Sequence, residues 1–287
     1  MKAPAFTYHA PTQLKDALQL LADLPNARVL AGGQSLMPML NLRVAGPDHL
    51  IDLGHIEELK ALQSVEGGVL TGSMCTQRRV ERSPEVGEIC PLLRDAIRHV
   101  GHQQTRNRGT IGGSVSHLDP GAELPVAAAA LNATITIASL RGERIVPFSD
   151  FAQGYLTSCL EPDEIVKQIL WPKAPKGAGT AFLEFNRRPA DFAVVSVATQ
   201  IVLEDDGTIA QSSLALGGVQ GAPLVLDISG LSGARTVHEG FGEDLLRGLD
   251  CDGDELYPAE FRLEIASVLI GRALSKALAQ ARSVAHV

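Results

Sequence analysis

Two short glycine segments carry the residues best suited to chemistry. The first is Ala31-Gly32-Gly33-Gln34-Ser35, after the apolar run Arg28-Val29-Leu30; the second is Thr110-Ile111-Gly112-Gly113-Ser114, after Arg106-Asn107-Arg108-Gly109. Paired glycines let a backbone approach a ligand closely and turn its N–H groups inward, and such clusters bind anions, phosphate above all. Two of them suggest a ligand whose diphosphate lies between two loops. Each is followed by small polar groups and then by apolar residues able to start a helix, whose first turn offers further N–H groups. On residue chemistry alone, phosphate cradles and plain turns are equally good readings.

Other nucleotide and catalytic motifs are absent. No G-x-G-x-x-G follows a strand pattern and no G-x-x-x-x-G-K-[ST] occurs, which disfavours Rossmann and P-loop sites. Asp119 and Glu123 are acceptors suited to ribose or ribityl hydroxyls, although a capping turn through Asp119-Pro120 is the simpler reading. His99, His102 and His117 have no metal-ligand spacing. Asp250 to Glu255 resembles a calcium loop but has Glu255 at the glycine position and Phe261 at the twelfth, so it reads as a solvated acidic loop. Arg187-Arg188 with Asp191 reads as a surface ion pair, or as the entrance to a site for an anionic cofactor. No side chain is assigned as a catalytic acid, base or nucleophile, and none as a metal ligand.

The elements that must hold these residues follow from periodicity. Leu14, Ala17, Leu18 and Leu21 form a helical stripe with Thr12 as the expected cap. Arg28–Leu30 and His49–Leu53 read as strands flanking the first glycine segment in a βαβ-like unit. Val69–Thr71, Ala133–Ala138 and Glu164–Leu170 read as further strands, the last ended by Trp171-Pro172. Helical patterns cover Thr76–Arg82 and Glu85–Val100. An alanine-rich, buried stretch follows Glu123-Leu124-Pro125. Lys173 to Gly179, rich in Pro, Gly and Lys, is the best domain boundary. Beyond it, Phe192–Glu204 and Thr208–Leu216 read as a hairpin turned at Asp205-Asp206-Gly207, and Pro258–Ala281 as a long amphipathic helix.

Composition narrows the class. The 287 residues exceed what one core usually holds. A net charge of −8 and 4% aromatics argue against a nucleic-acid face. No apolar run approaches the ~18 residues of a membrane span, and the start of the chain lacks a signal-peptide pattern, so a cytosolic (cytoplasmic) location is expected. Cys75, Cys90, Cys159 and Cys251 are too far apart for a metal or iron–sulfur motif and are expected as free thiols.

Taken together, the stretches resemble a known family. Ala31 to Arg43 is similar to the first flavin-binding motif of the FAD-carrying medium subunits of molybdenum hydroxylases, the xanthine dehydrogenase and carbon monoxide dehydrogenase family. Gln103 to Ser114 resembles the second motif. His117 to Pro120 with Glu123-Leu124-Pro125, Gly154-Tyr155-Leu156 with Leu160 to Ile165, and Arg187-Arg188 with Asp191-Phe192-Ala193 also fit, in order along nearly the whole chain.

The resemblance implies an α+β fold: a two-lobed FAD-binding domain of the vanillyl-alcohol-oxidase (PCMH) type over residues 1–173, with lobes of about 1–55 and 56–173. A C-terminal domain of small antiparallel sheet plus helices would follow over 174–287. It implies that Val29, Leu30, Ala31, Gly32, Gly33, Gln34, Ser35 and Leu36 hold the FAD diphosphate together with Thr110, Ile111, Gly112, Gly113 and Ser114. Val100 and Gly101 match a position near the flavin, Asp119 and Glu123 match FAD contacts, and Ile165 or Val166 matches an apolar contact near the isoalloxazine. Where some relatives carry a lysine near the cofactor, this chain has Leu183-Glu184.

The implied role is electron transfer within a dimer of heterotrimers. A large molybdenum-cofactor subunit hydroxylates a small organic substrate, such as an N-heteroaromatic, and a small subunit carries two [2Fe–2S] clusters. FAD on this chain relays the electrons to an external acceptor. A self-sufficient flavin oxidoreductase of the same fold and a non-redox phosphate-ligand binding protein remain as alternatives.

Overall fold

The computed structural model describes residues 2–238 and 240–285. The chain begins with β1 (Thr7–His9), α1 (Leu14–Asp23), β2 (Ala27–Leu30), α2 (Leu36–Leu42) and β3 (His49–Asp52). The strands form a parallel sheet in the order β1–β3–β2. In α1 the stripe Leu14, Ala17, Leu18 and Leu21 is buried, as its spacing requires. Thr12 is not its cap: the Gln13 carbonyl accepts the first helical bond, from Ala17 N at 3.2 Å, so the helix starts one residue beyond Thr12's reach.

A second lobe holds β4 (Leu62–Val65), β5 (Gly68–Gly72), α3 (Gln77–Arg82), α4 (Pro84–Ile89), α5 (Pro91–His99), α6 (Gln103–Arg108), α7 (Ile111–His117), α8 (Glu123–Leu131), β6 (Thr134–Ser139), β7 (Gly142–Pro147), α9 (Phe148–Phe151), β8 (Ala152–Gly154), β9 (Thr157–Ser158) and β10 (Ile165–Pro172). Its main sheet is antiparallel in the order β4–β5–β10–β6–β7. The single helix expected over 85–100 is two helices. Cys90 between them leaves the helical region (φ −137°, ψ 69°), because the ring of Pro91 disfavours a helical conformation in the residue before it. Trp171 lies inside β10, its indole N–H donating to Thr71 Oγ1 at 3.0 Å, and pairing ends at Pro172. All nine residues of α8 are buried, and it stops at Asn132, which takes the left-handed conformation at φ 51°.

The last part has β11 (Gly179–Asn186), β12 (Ala193–Leu203), β13 (Ile209–Gly217) and β14 (Leu224–Val225) in one antiparallel sheet, then α10 (Phe241–Leu246) and α11 (Ala259–Ala285). The expected hairpin turn is present: Gly207 sits at φ 81° and Asp206 Oδ1 accepts from Thr208 N at 2.9 Å. In the former calcium-like loop, Asp254 Oδ1 accepts from the N–H groups of Leu256 and Tyr257, both at 2.8 Å, and Oδ2 pairs with Arg262 at 2.7 Å. That carboxylate closes a turn at the start of α11.

The faces of this sheet differ. Ala181, Val195, Val197, Ile201, Leu214 and Leu216 pack on α11 in one apolar cluster. Phe182, Ala198 and Ala215, paired side by side, join instead the core of the second lobe, over α5 and α8. Flanking this apolar row on the same face are the polar rows Thr180–Gln200–Ser213 and Glu184–Ser196–Gly217. Thus α8 lies between two sheets, and its alanines allow both to come close.

Candidate functional site

The two glycine segments, far apart in sequence, touch each other. A Cβ built on Gly32 would lie 2.2 Å from the Arg108 carbonyl oxygen, and one on Gly113 would lie 3.2 Å from Ala31 Cβ. The second segment is stitched to the chain after β5 by bonds from Gln77 N to Gly109 O, Ile111 N to Cys75 O and Gly112 N to Ser73 O, each 2.9 Å. Between the lobes lies a cavity of about 800 Å³, reached also by Ala190, Asp191 and Phe192 from the segment between β11 and β12. That size is within the roughly 300–1,000 Å³ of small-molecule sites.

Apart from Leu30 and Ile111, every residue assigned to FAD from the sequence lines this cavity: Val29, Ala31 to Leu36, Val100, Gly101, Thr110, Gly112, Gly113, Ser114, Asp119, Glu123, Ile165 and Val166. Ile111 turns its side chain into the core of the second lobe and is fully buried there. Leu30 lies beneath the first glycine turn, its Cδ1 3.5 Å from where a Cβ on Gly33 would sit.

The two segments offer different chemistry. In the first, Gly33 adopts φ +72°. The N–H groups of Gly33, Gln34 and Ser35 find no acceptor among the described residues, whereas Met37 N donates to Gly33 O at 3.1 Å. Unpaired N–H groups on the wall of a cavity suit an anion. In the second, the expected inward N–H cluster is already engaged. Ile111 and Gly112 donate to Cys75 and Ser73, Gly113 N donates to Thr110 Oγ1 at 3.0 Å, and Ser114 N donates to Thr110 O at 3.2 Å. The paired glycines there serve close packing: a Cβ on Gly112 would lie 2.4 Å from Ser73 Cβ. The segment gives a ligand a surface without side chains, edged by the Ser114 hydroxyl.

Asp119 combines both readings made of it. Its Oδ1 accepts from Gly121 N at 2.9 Å, closing a turn, and it lines the cavity. Glu123, expected as a plain acceptor, differs. It is 3% exposed, and burial pushes its carboxyl up to about 8, with Glu184 and Asp119 adding to the rise and its own backbone N–H and Arg106 opposing it. At neutral pH it keeps its proton and can donate a hydrogen bond. His117, also on the wall, is held below the usual imidazole range by burial first and by Arg28 second, against Asp119.

This shift has a consequence for stability. The unfolded carboxyl titrates near 4.5 and the folded one near 8, so stability is greatest below the lower value and falls as pH rises to the upper one. Glu123→Gln is expected to remove that fall. Without ligand, urea titrations across this window should show a variant gaining on the parent by on the order of a few kcal/mol at the alkaline end. Parallel curves would contradict a proton-holding Glu123.

Arg106 braces the wall from behind. Its Nη1 donates to the carbonyls of Val100 and Gly101, both at 2.8 Å, and its Nε and Nη2 grip Glu81 at 3.0 and 3.1 Å. The histidines singled out by sequence do not converge: His117 faces the cavity, whereas His99 Nδ1 lies 3.3 Å from Glu184 Oε1. Among the described residues no ion pair joins Arg187 or Arg188 to Asp191; the segment instead sends Asp191 and Phe192 to the cavity. Sequence reasoning missed Arg28, Ser73, Gln77 and Leu156 as wall residues. Leu156 and Phe192 belong to stretches that carried the resemblance, but Ser73 and Gln77 have no local signal, since only pairing with the second glycine segment brings them in.

Comparison with known proteins gives a consistent picture. Residues 4–174 match the family described as the FAD binding domain in molybdopterin dehydrogenase, and residues 180–277 match the CO dehydrogenase flavoprotein C-terminal domain. The chain is 35% identical over 284 residues to the nicotine 6-hydroxylase medium subunit of Paenarthrobacter nicotinovorans, covering 96% of this chain and 99% of the relative. It is 32% identical to the carbon monoxide dehydrogenase medium chain of Hydrogenophaga pseudoflava, covering 98% and 99%. Among solved structures, carbon monoxide dehydrogenase from that organism superposes with a TM-score of 0.93 at 31% identity over 98% of this chain and 99% of its match. Quinoline 2-oxidoreductase from Pseudomonas putida 86 gives 0.91 at 35% identity, with the same coverage.

Proposed function

Because the chain belongs to the FAD-binding medium subunits of the molybdenum hydroxylase family, we propose that it relays electrons through FAD from a partner's [2Fe–2S] clusters to an external acceptor. The single observation that carries the site assignment is the contact between the two glycine segments beneath a cavity of about 800 Å³, with unpaired N–H groups on one side only. In this reading Gly33, Gln34 and Ser35 donate their backbone N–H groups to the diphosphate. Gly112 and Gly113 let it approach the second lobe, and the Ser114 hydroxyl adds a donor. Asp119 accepts from a sugar or ribityl hydroxyl. Ile165 and Val166 face the isoalloxazine with apolar surface, and Val100 and Gly101 hold its edge. FAD supplies the chemistry of accepting and giving electrons singly or in pairs, and the protein binds, orients and tunes it. No side chain here acts on the hydroxylated substrate.

The reading extends to partners and boundaries. It has a large molybdenum-cofactor subunit and a small iron–sulfur subunit, in a dimer of heterotrimers. Residues 1–173 form the FAD-binding domain, with lobes of 1–55 and 56–173, and 174–287 the C-terminal domain. Relatives named for nicotine and quinoline favour an N-heteroaromatic substrate for the complex. The four unpaired cysteines suit the cytosol, and no helix among the described residues is long and apolar enough to cross a membrane.

Two measurements test this. The purified full chain is expected to take up FAD and show flavin absorption bands. Its flavin is then expected to be reduced by the hydroxylase substrate only when the cluster-bearing and molybdenum subunits are present. A chain that takes up no FAD overturns the whole reading. Reduction by a small molecule with the chain alone favours the self-sufficient oxidoreductase.

A further inference from the structure

Reduction of FAD to FADH2 takes up two electrons and two protons, whereas iron–sulfur donors deliver electrons alone. A chain that carries electrons through FAD therefore has to bring protons to a site that the cofactor itself fills. The seam between the second lobe and the β11–β12–β13 sheet contains the groups for this. Glu123, on the cavity wall, is 3% exposed. Close enough to act on its charge stands Glu184, its side chain 4% exposed; its Oε1 accepts from Asn186 Nδ2 at 2.8 Å, and His99 Nδ1 lies 3.3 Å from that oxygen. Its Oε2 is enclosed and has no hydrogen-bond partner among the described residues, and the same is true of Oγ of Ser196, its neighbour across the strand pair. The start of α8 sits on this row: a Cβ on Gly217 would lie 2.6 Å from Ser196 Oγ, 2.5 Å from Val126 Cγ2 and 3.4 Å from Pro120 O. His99, beyond Glu184, has a side chain 37% exposed and reaches solvent. Enclosed oxygens of this kind take ordered water or a shared proton as partner.

We propose that Glu123, Glu184 and His99 form a proton path from solvent to the FAD cavity, with Glu123 as the group that hands the proton over. The path rests on the reading that FAD fills this cavity. As electrons arrive from the iron–sulfur partner, the Glu123 carboxyl gives its proton to the reduced flavin and becomes a carboxylate. His99 releases a proton from Nδ1 to the Glu184 carboxylate while taking one from water at its other ring nitrogen, and Glu184 passes the proton on to Glu123 across the enclosed row. Two passes complete FADH2.

The surrounding charges favour an acid ready to donate. Glu123 is faced by Glu184 from β11 and Asp119 from the preceding turn, both of which resist a second negative charge, and by Arg106 from α6, which partly offsets them. On α7, His117 is faced by Asp119 and by Arg28 of β2. Glu184 is faced by His99 of α5.

The test uses the full chain loaded with FAD and reduced by a light flash through a deazaflavin donor. Flavin bleaching reports electron arrival, and a pH-indicator dye reports proton uptake from bulk. In Glu184→Gln and His99→Gln, electron arrival should be unchanged while proton uptake slows on the order of 10²-fold, with added imidazole restoring the His99 variant. A second readout needs no cofactor. At neutral pH the FAD-free chain should show the infrared carbonyl band of a buried carboxylic acid, lost in Glu123→Gln and moved in Glu184→Gln. FAD-loaded variants that take up protons at the parent rate overturn the path and leave the flavin assignment standing. A parent chain that binds no FAD overturns that assignment, and the path with it. Should Glu184→Gln not fold, the more exposed His99 variant decides alone.

Discussion

Gly33→Val and Gly113→Val are each expected to weaken FAD binding on the order of 10²-fold or more, by different routes. Gly33 sits at φ +72°, a conformation that β-branched residues rarely take. A valine there rotates the turn and re-aims the N–H groups of Gly33 to Ser35, the free donors of the cradle. Its Cβ would otherwise meet only side-chain atoms, Met37 Cγ at 3.2 Å and Leu30 Cδ1 at 3.5 Å, the nearer of them flexible, so the loss falls mainly on binding. At Gly113 the new Cβ would come within 2.8 Å of Thr110 Oγ1 and 3.2 Å of Ala31 Cβ. It displaces the hydroxyl that caps α7 and fills the gap between the segments. Gly32→Ala is the contrasting case, because its Cβ meets backbone at 2.2 Å and forces the lobes apart. That variant should lose thermal stability even without FAD. Equilibrium dialysis with FAD, alongside melting of the ligand-free chain, separates the two effects. Parent-like affinity in both valine variants would show that the diphosphate lies elsewhere.

Arg106→Ala is expected to cost about 3 kcal/mol of stability, which is large for a residue that touches no ligand. The guanidinium is 12% exposed and its partner Glu81 13%. Burial alone would raise the Glu81 carboxyl, but its bonds to Arg106 and Arg78 outweigh this and hold it below the usual range. Removing Arg106 leaves that carboxylate with Arg78 only, at 2.8 Å, and frees the Val100 and Gly101 carbonyls. Arg106→Lys should recover little, since an ammonium cannot span four acceptors in one plane. The sign with pH is fixed by the lowered value: the stabilisation is present above the unfolded carboxyl's titration and lost as pH falls through the folded one. Urea midpoints of parent and variant should therefore converge in acid and separate at neutrality. Equal midpoints at neutral pH would count against the brace. FAD affinity should fall too, because the Val100–Gly101 turn forms part of the cavity wall.

What the sequence disclosed was local and periodic. The stripe of α1, the β12–β13 hairpin and the long last helix follow from spacings of 3.6 and 2 and from one glycine turn. Both glycine segments were visible as possible ligand loops, and their flanking residues suggested which ligand. The contact of Gly32 with Arg108 was not legible, because it joins lobes through positions whose only sequence mark is the lack of a side chain. Nor was it legible that one segment keeps free N–H groups while those of the other are taken up by Ser73, Cys75 and Thr110. Glu123 was legible as a polar residue near the site, but its acid form comes first from burial, which only the fold imposes, and then from Glu184, more than fifty positions later. The break at Cys90 is marked in the sequence by Pro91, but the apolar spacing runs on across it and gives no sign of two helices.

The wholly buried helix α8 bears on how the protein comes to be made. A chain leaves the ribosome from its N-terminus, so α8 emerges after β4 and β5, before β6, β7 and β10 complete the sheet beneath it, and well before β12 and β13, which cover its other side. Through that interval an alanine-rich surface faces water or whatever binds such surfaces in the cell. The early lobes thus wait, incompletely sealed, for the end of translation. Slowing synthesis between the codons for β10 and β12 would prolong that wait, and a nascent chain stalled there would be a target for chaperones rather than a finished flavin-binding domain.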